Sequence, residues 1–331
     1  YLSSIVALKP DTGEMVWYFQ TTPGEAWDFT ATQNMILADL EIDGRLRKVL
    51  MQAPKNGFFY VLDRETGEFI SGKEYALVNW ASGLDPVTGR PDIREEALWF
   101  DEAAIVAPGP IGAHNWQPMS FHPGEGLVYI PAISLLHFWE PVEKFEYQPG
   151  SFNTGEDFAA LVESIGPIAS LRLWPCDRTR LLAWDPVTQA ARWEVPQDTG
   201  VPGGVLSTAG GLVFQGNGTG VFRAYASGTG EVVWSIDVGT GIMAPPVSYA
   251  INGEQYVVVL AGIGGGAGLH FEDLRNDNAG QVLAFKLGGE ASLPAVVPLE
   301  REFPAVDVSD LREEVIDRGR VVYAQTCMRC H

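Results

Sequence analysis

Phe59-Tyr60-Val61-Leu62-Asp63-Arg64-Glu65-Thr66-Gly67-Glu68-Phe69 is the stretch that decides the fold. Its apolar run is of strand length and too short for a helix, and the turn behind it ends in Thr-Gly, where glycine supplies the positive φ of a tight hairpin. The pattern recurs. Ile5-Val6-Ala7-Leu8 precedes Asp11-Thr12-Gly13 and Trp17; Leu181-Leu182-Ala183-Trp184-Asp185 precedes Thr188 and Trp193; Phe222-Arg223-Ala224-Tyr225 precedes Thr229-Gly230 and Trp234. Val282-Leu283-Ala284-Phe285 opens a further copy. Thr188 is followed by Gln189 instead of glycine, so that turn is expected to be less regular. A tryptophan at one place in most units, Trp17, Trp193 and Trp234, suits a radial array in which every sheet docks on its neighbour, and it is read here as core packing. Further strands are predicted at Lys48–Met51, Gly126–Ile130, Leu212–Phe214 and Tyr256–Leu260. Four strands per unit, in units of about 40–60 residues, predict an all-β protein of the propeller type, with about four blades present. Residues 74–175 read as long insertions.

Composition agrees with that class. Thirty-seven glycines, 22 prolines and 10 tryptophans fit a turn-rich β protein. Forty-two acidic against 22 basic side chains give a net charge of −20, which would repel phosphates over most of the surface and excludes a nucleic-acid partner. No run of 18 apolar residues is present to span a membrane. Tyr1-Leu2-Ser3-Ser4 reads as mid-domain sequence, so the lack of a leader there says nothing about export.

After Leu287-Gly288-Gly289 the texture changes. Residues 290–308 contain Pro294, Pro298 and Pro304 and read as a linker. From 309 a helix is predicted, capped by Ser309, with Asp310, Glu313 and Glu314 in its first turns and Leu311, Val315, Gly319, Val322 and Tyr323 on one face. It leads into Cys327-Met328-Arg329-Cys330-His331. In such a run two thiols add across the vinyl groups of a haem and the adjacent histidine ligates its iron. A zinc half-site or a redox pair are the other readings. Zinc would need further ligands close by, whereas the remaining cysteine, Cys176, is remote in sequence and reads as a buried apolar residue. Residues 1–289 are therefore expected to be propeller, 290–308 linker and 309–331 the start of a c-type cytochrome. Haem attachment through thiols points to a periplasmic location.

Four loops outside the hairpins can carry chemistry. In Glu25-Ala26-Trp27-Asp28-Phe29-Thr30 the carboxylate of Asp28 lies between two large aromatics, which would limit water and favour a base; a turn-capping aspartate is the plainer reading. Ala53-Pro54-Lys55-Asn56-Gly57-Phe58 sets Lys55 on a corner ahead of a strand, where most lysines only face solvent. Gly112-Ala113-His114-Asn115-Trp116-Gln117-Pro118 gathers hydrogen-bonding side chains, as structural corners also do. Gly262-Ile263-Gly264-Gly265-Gly266 has backbone amides open to a ligand, or is only flexible.

Together these loops, with the C-terminal motif, resemble the pyrroloquinoline-quinone (PQQ)-dependent alcohol dehydrogenases, and within them the quinohaemoprotein branch that appends a cytochrome c. The resemblance covers essentially the whole chain. It implies an eight-bladed propeller with PQQ on its axis beside a calcium ion. It also implies Asp28 as general base near the calcium, Lys55 as the cation at the quinone's reactive oxygens, and Asn115, Gly264 and Gly265 as cofactor contacts, with Ile263 where a tryptophan is common. Cys327, Cys330 and His331 would hold haem c. The activity implied is oxidation of alcohols to aldehydes by hydride transfer to the quinone. Electrons would leave through the haem to a one-electron acceptor: a cytochrome, a copper protein or a membrane quinone chain. Four hairpins and a part cannot close eight blades, so the chain is expected to be an internal piece of such an enzyme, binding neither quinone nor haem stably alone. The other reading is a non-catalytic propeller scaffold or docking module fused to a cytochrome. It accounts for the hairpins but not for Asp28 with Lys55.

Overall fold

The structure, a computed structural model, describes residues 2–149, 153–157, 179–197, 199–263, 275, 280–295 and 312–323. The first strands, β1 (Ser4–Leu8) and β2 (Met15–Gln20), pair as a hairpin. A four-stranded antiparallel meander follows: β3 (Ile36–Ile42), β4 (Arg45–Gln52), β5 (Phe58–Asp63) and β6 (Phe69–Glu74). Two small pairs come next, β7 (Ala81–Leu84) with β8 (Pro91–Ile93), and β9 (Ala104–Val106) with β12 (His137–Trp139). The second meander is β10 (Ser120–His122), β11 (Leu127–Ile133), β13 (Thr179–Asp185) and β14 (Ala190–Gln197). A third is β15 (Pro202–Thr208), β16 (Leu212–Asn217), β17 (Val221–Ala226) and β18 (Val232–Asp237). Three strands close the series, β19 (Val247–Ile251), β20 (Glu254–Ala261) and β21 (Gln281–Phe285).

Successive side chains of a strand point to opposite faces, and here each face meets a different neighbouring sheet. Along β5, Phe58, Tyr60 and Leu62 join Ile5 and Phe19 of the first hairpin, while Phe59 and Val61 join Val128, Ile130 and Leu182 of the second meander. Tyr129 and Leu181 face the other way, toward Val213 and Tyr225; Phe222 then faces Val257, Val259 and Leu283. Sheets packed face to face in chain order, each a meander, are propeller blades. The all-β, partial-propeller expectation holds.

The repeated turns explain the docking. Gly13, Gly67 and Gly230 have φ of +71°, +76° and +74°, and a register shift precedes each turn in its first strand. A Cβ on Gly67 would lie 2.7 Å from the Trp17 ring, and one on Gly230 would lie 2.6 Å from that of Trp193. The tryptophan of one blade thus seats on the bare glycine of the next. Gln189 corrects an expectation. It takes the same left-handed conformation at φ +51°, and Asp185 Oδ1 accepts from the Val187 and Thr188 amides just as Asp63 Oδ1 accepts from those of Glu65 and Thr66. The turn is as regular as the others, and the Gln189 amide donates to Ser71 Oγ on β6 at 3.0 Å.

Residues 74–110 are not merely an insertion. They contain another such turn between β7 and β8, in which Asp85 Oδ1 accepts from Val87 and Thr88 and Gly89, at φ +67°, packs on Phe69. Near the C-terminus α1 (Glu313–Val322) has Arg312 in its N-cap position without a side-chain cap bond; the expected cap, Ser309, lies outside the described residues. No helix among the described residues is long and apolar enough to cross a membrane.

Candidate active site

The loop between β2 and β3 is shaped by Glu25, whose Oε1 accepts from the Trp27 and Phe29 amides at 2.6 and 2.7 Å. That bracket turns Trp27 and Phe29 inward, where both are fully buried and stack on each other and on Trp80. Trp27 Nε1 donates to Ala97 O at 2.8 Å and Trp99 Nε1 donates back to Ala26 O at 2.7 Å, fastening the loop to the segment after β8. Asp28, between the aromatics, takes φ +61° and points away from them. Its side chain is 61% exposed. The expectation that the flanking rings shield this carboxylate from water is therefore corrected: neighbours in sequence share the opposite side of the loop, and the rings belong to the core.

Lys55 does not face solvent as most corner lysines do. Its side chain is 10% exposed, and Nζ donates to both the backbone carbonyl and Oδ2 of Asp28, each at 3.0 Å. A buried ammonium needs such partners, since an unpaired charge in this setting would cost several kcal/mol. Two of its three N–H groups are used on Asp28, leaving one for a further acceptor. Gly112 closes on the lysine stem at φ +84°, and a Cβ there would overlap Lys55 Cγ. Only glycine fits.

The third loop meets the same corner from the other side. His114 is fully buried, with Nδ1 2.7 Å from Ala53 O and Nε2 2.6 Å from Gln117 O. Burial holds its imidazole below the ordinary pKa, against the pull of those two carbonyls. Asn115 lies between, partly exposed. Its amide is tied locally, Nδ2 to Ile111 O at 2.8 Å and Oδ1 from the Trp116 amide at 2.8 Å, which leaves its second amide hydrogen for another acceptor. Asp28 and Lys55 are thus brought together, with the Asn115 loop packed behind Lys55. Gly264, Gly265, Cys327, Cys330, His331 and Cys176 lie outside the described residues. Ile263 is described and packs on Gly241.

An exposed carboxylate hydrogen-bonded to a largely buried ammonium suits a polar, oxygen-rich ligand: the ammonium can donate to it and the carboxylate can take its proton. Among the described residues no group of three or more His, Cys, Asp or Glu could hold a metal. Asp28 offers one carboxylate to a cation, and its other ligands would come from elsewhere. Sequence reasoning quoted Glu25, Trp27 and Gly112 within its candidate loops but gave them no role, and it passed over Trp99. Their types are unremarkable, and only contacts across some 70 residues of chain reveal the indole pair.

Residues 1–80 and 96–257 match the β-propeller domain of glucose/ethanol/alcohol dehydrogenases, a PQQ family. Over its full length the chain is 44% identical to the quinohemoprotein alcohol dehydrogenase ADH IIB of Pseudomonas putida, of which it covers 48%. It is 47% identical to ADH-IIG of the same organism and covers 47% of that protein. The crystal structure of quinohemoprotein alcohol dehydrogenase from Comamonas testosteroni aligns over 100% of the chain with a TM-score of 0.83 and 42% identity, the chain covering 48% of it. The chain spans about half the length of these relatives.

Proposed function

Because the chain belongs to the PQQ-dependent alcohol dehydrogenase family, we propose that it is the propeller segment bearing the base and the cation of an enzyme that oxidises alcohols to aldehydes. The observation that carries this reading is the 3.0 Å contact between Lys55 Nζ and the exposed carboxylate of Asp28. PQQ, when bound, supplies a two-electron acceptor for the substrate hydride, and calcium beside it a Lewis acid. Asp28 accepts the proton of the alcohol hydroxyl. Lys55 offers its remaining N–H to the quinone oxygens and keeps positive charge where negative charge develops on reduction. Asn115, Gly264 and Gly265 would contribute further cofactor contacts, and Asp28 would be the residue of this set nearest a calcium ion.

The remaining assignments follow the sequence. Residues 1–289 form the propeller part, 290–308 a linker and 309–331 the opening of a cytochrome c domain. In it Cys327 and Cys330 would hold haem c and His331 would ligate the iron, which would be the exit for electrons toward a one-electron acceptor. The location is periplasmic. The test uses the full-length protein, loaded with PQQ and calcium and carrying oxidised haem. Adding a primary alcohol should reduce the haem and release the aldehyde in proportion. A quinone-loaded protein whose haem stays oxidised under excess alcohol would contradict the proposal.

A further inference from the structure

The corner that carries Lys55 is held at four successive carbonyls, Pro54 to Gly57, with the His114 ring beside the one before them. Ala53 O lies 2.7 Å from His114 Nδ1, Pro54 O accepts from the Tyr75 hydroxyl at 2.8 Å, and Lys55 O accepts from the Ala113 amide at 2.9 Å. Asn56 O accepts from Trp80 Nε1 at 2.9 Å and Gly57 O from the Tyr75 amide at 3.0 Å. Tyr75 thus brackets the corner twice, by its side chain before Lys55 and by its backbone after it. It is itself fixed from the neighbouring blade. Arg180, on β13, donates Nη2 to Tyr75 O at 2.9 Å and Nη1 to Ser134 Oγ at 2.8 Å, with Nε 3.2 Å from Glu194 Oε2. Tyr75 is 4% exposed, and burial keeps its phenol far above the ordinary pKa, so the hydroxyl remains a donor.

We infer that Tyr75 is a positioning residue for Lys55, transmitting the rigidity of the interface between two blades to the ammonium that meets Asp28. A lysine stem is flexible, and an ammonium that must sit within 3 Å of two acceptors needs a fixed Cα. Removing the hydroxyl leaves Pro54 O, the carbonyl next to Lys55, with only the longer 3.4 Å bond from the Gly57 amide, and leaves the aromatic ring in the core. The inference rests on Lys55 acting in the oxidation as proposed above.

A double-mutant cycle in the full-length holoenzyme tests it. Tyr75→Phe should lower kcat by about ten- to a hundredfold with little change in KM for the alcohol, the range expected from a small misplacement of a catalytic group. In a Lys55→Gln background the same substitution should have no further effect, because its target is gone. Tyr129→Phe deletes another buried phenol that donates to a carbonyl, Ser227 O at 3.1 Å, on a different interface, and sets the scale of a purely structural loss. In the apoprotein, hydrogen exchange at the amides of residues 55 and 57 should quicken in Tyr75→Phe and not in Tyr129→Phe. Equal losses of kcat from Tyr75→Phe in both backgrounds, or a kcat unchanged within about twofold, would overturn the inference. If Lys55→Gln itself leaves kcat intact, it is the reading of the site that fails.

Discussion

Asp28 and Gln189 both occupy the left-handed region, at φ +61° and +51°, and neither could be read there from its residue type. Aspartate tolerates this conformation because its short polar side chain suits it. At Asp28 the geometry turns the carboxylate away from Trp27 and Phe29 and toward Lys55. At Gln189 the strain is offset by the side-chain bond to Ser71. Gly67 and Gly230, at matching positions, answer to a second constraint, the indole lying over them. Gly230→Ala should therefore lower stability by about 2–4 kcal/mol, from backbone strain plus overlap with Trp193, measured by urea denaturation. Gln189→Gly, by contrast, loses the side-chain bonds to Ser71 Oγ and Pro186 O while relieving the left-handed strain, and should change stability by less than about 1 kcal/mol. Lys55 and Asp28 were legible as candidates from their loops. Their contact was not, because 27 residues separate them and local sequence says nothing about which loops converge.

At the scale of elements, the hairpin with its acidic Thr-Gly turn was legible because one physical need repeats: two apolar strands joined by a residue at positive φ. The copy at Asp85–Gly89 escaped notice because its strands are short and polar, Ala81–Leu84 and Pro91–Ile93, so no apolar run flagged them. These turns also carry a pH dependence. Burial pushes the Asp63 and Asp185 carboxyls up, but the amides of residues 65 and 66, and of 187 and 188, together with the side chains of Thr66 and Arg47, and of Thr188 and Arg192, outweigh it and leave both below the usual carboxylate range. A depressed folded pKa means stabilisation that is complete above the unfolded value of about 3.9 and lost as pH falls through the folded one. Stability to urea should accordingly decline below about pH 4, and Asp185→Asn should flatten that part of the profile. A profile below pH 4 identical in Asp185→Asn and wild type would count against the turn as its source.

At the scale of the molecule, four apolar cores lie between sheets among the described residues, so an inner blade shares its burial with the blades on either side. The sheets at the two ends of the series expose apolar side chains, among them Val6, Val16 and Tyr18 on the first and Val247, Ile251 and Val282 on the last. The 331-residue chain by itself should self-associate at tens of micromolar in sedimentation velocity, while a monodisperse monomer would show those faces to be harmless. The propeller class and the order of most of its hairpins were legible from the repeats. Which faces meet was not, because alternation along β5 serves two cores at once and leaves no polar side to mark an outside.

The central claim is that Asp28, held against Lys55 on the exposed side of its loop, takes the alcohol proton. Asp28→Asn in the full-length holoenzyme tests it most directly, since asparagine keeps an oxygen for the Lys55 ammonium and removes only the basic carboxylate. The prediction is a loss of about 10²–10⁴-fold in kcat with PQQ still bound at wild-type stoichiometry. Turnover close to wild type in that variant would contradict it.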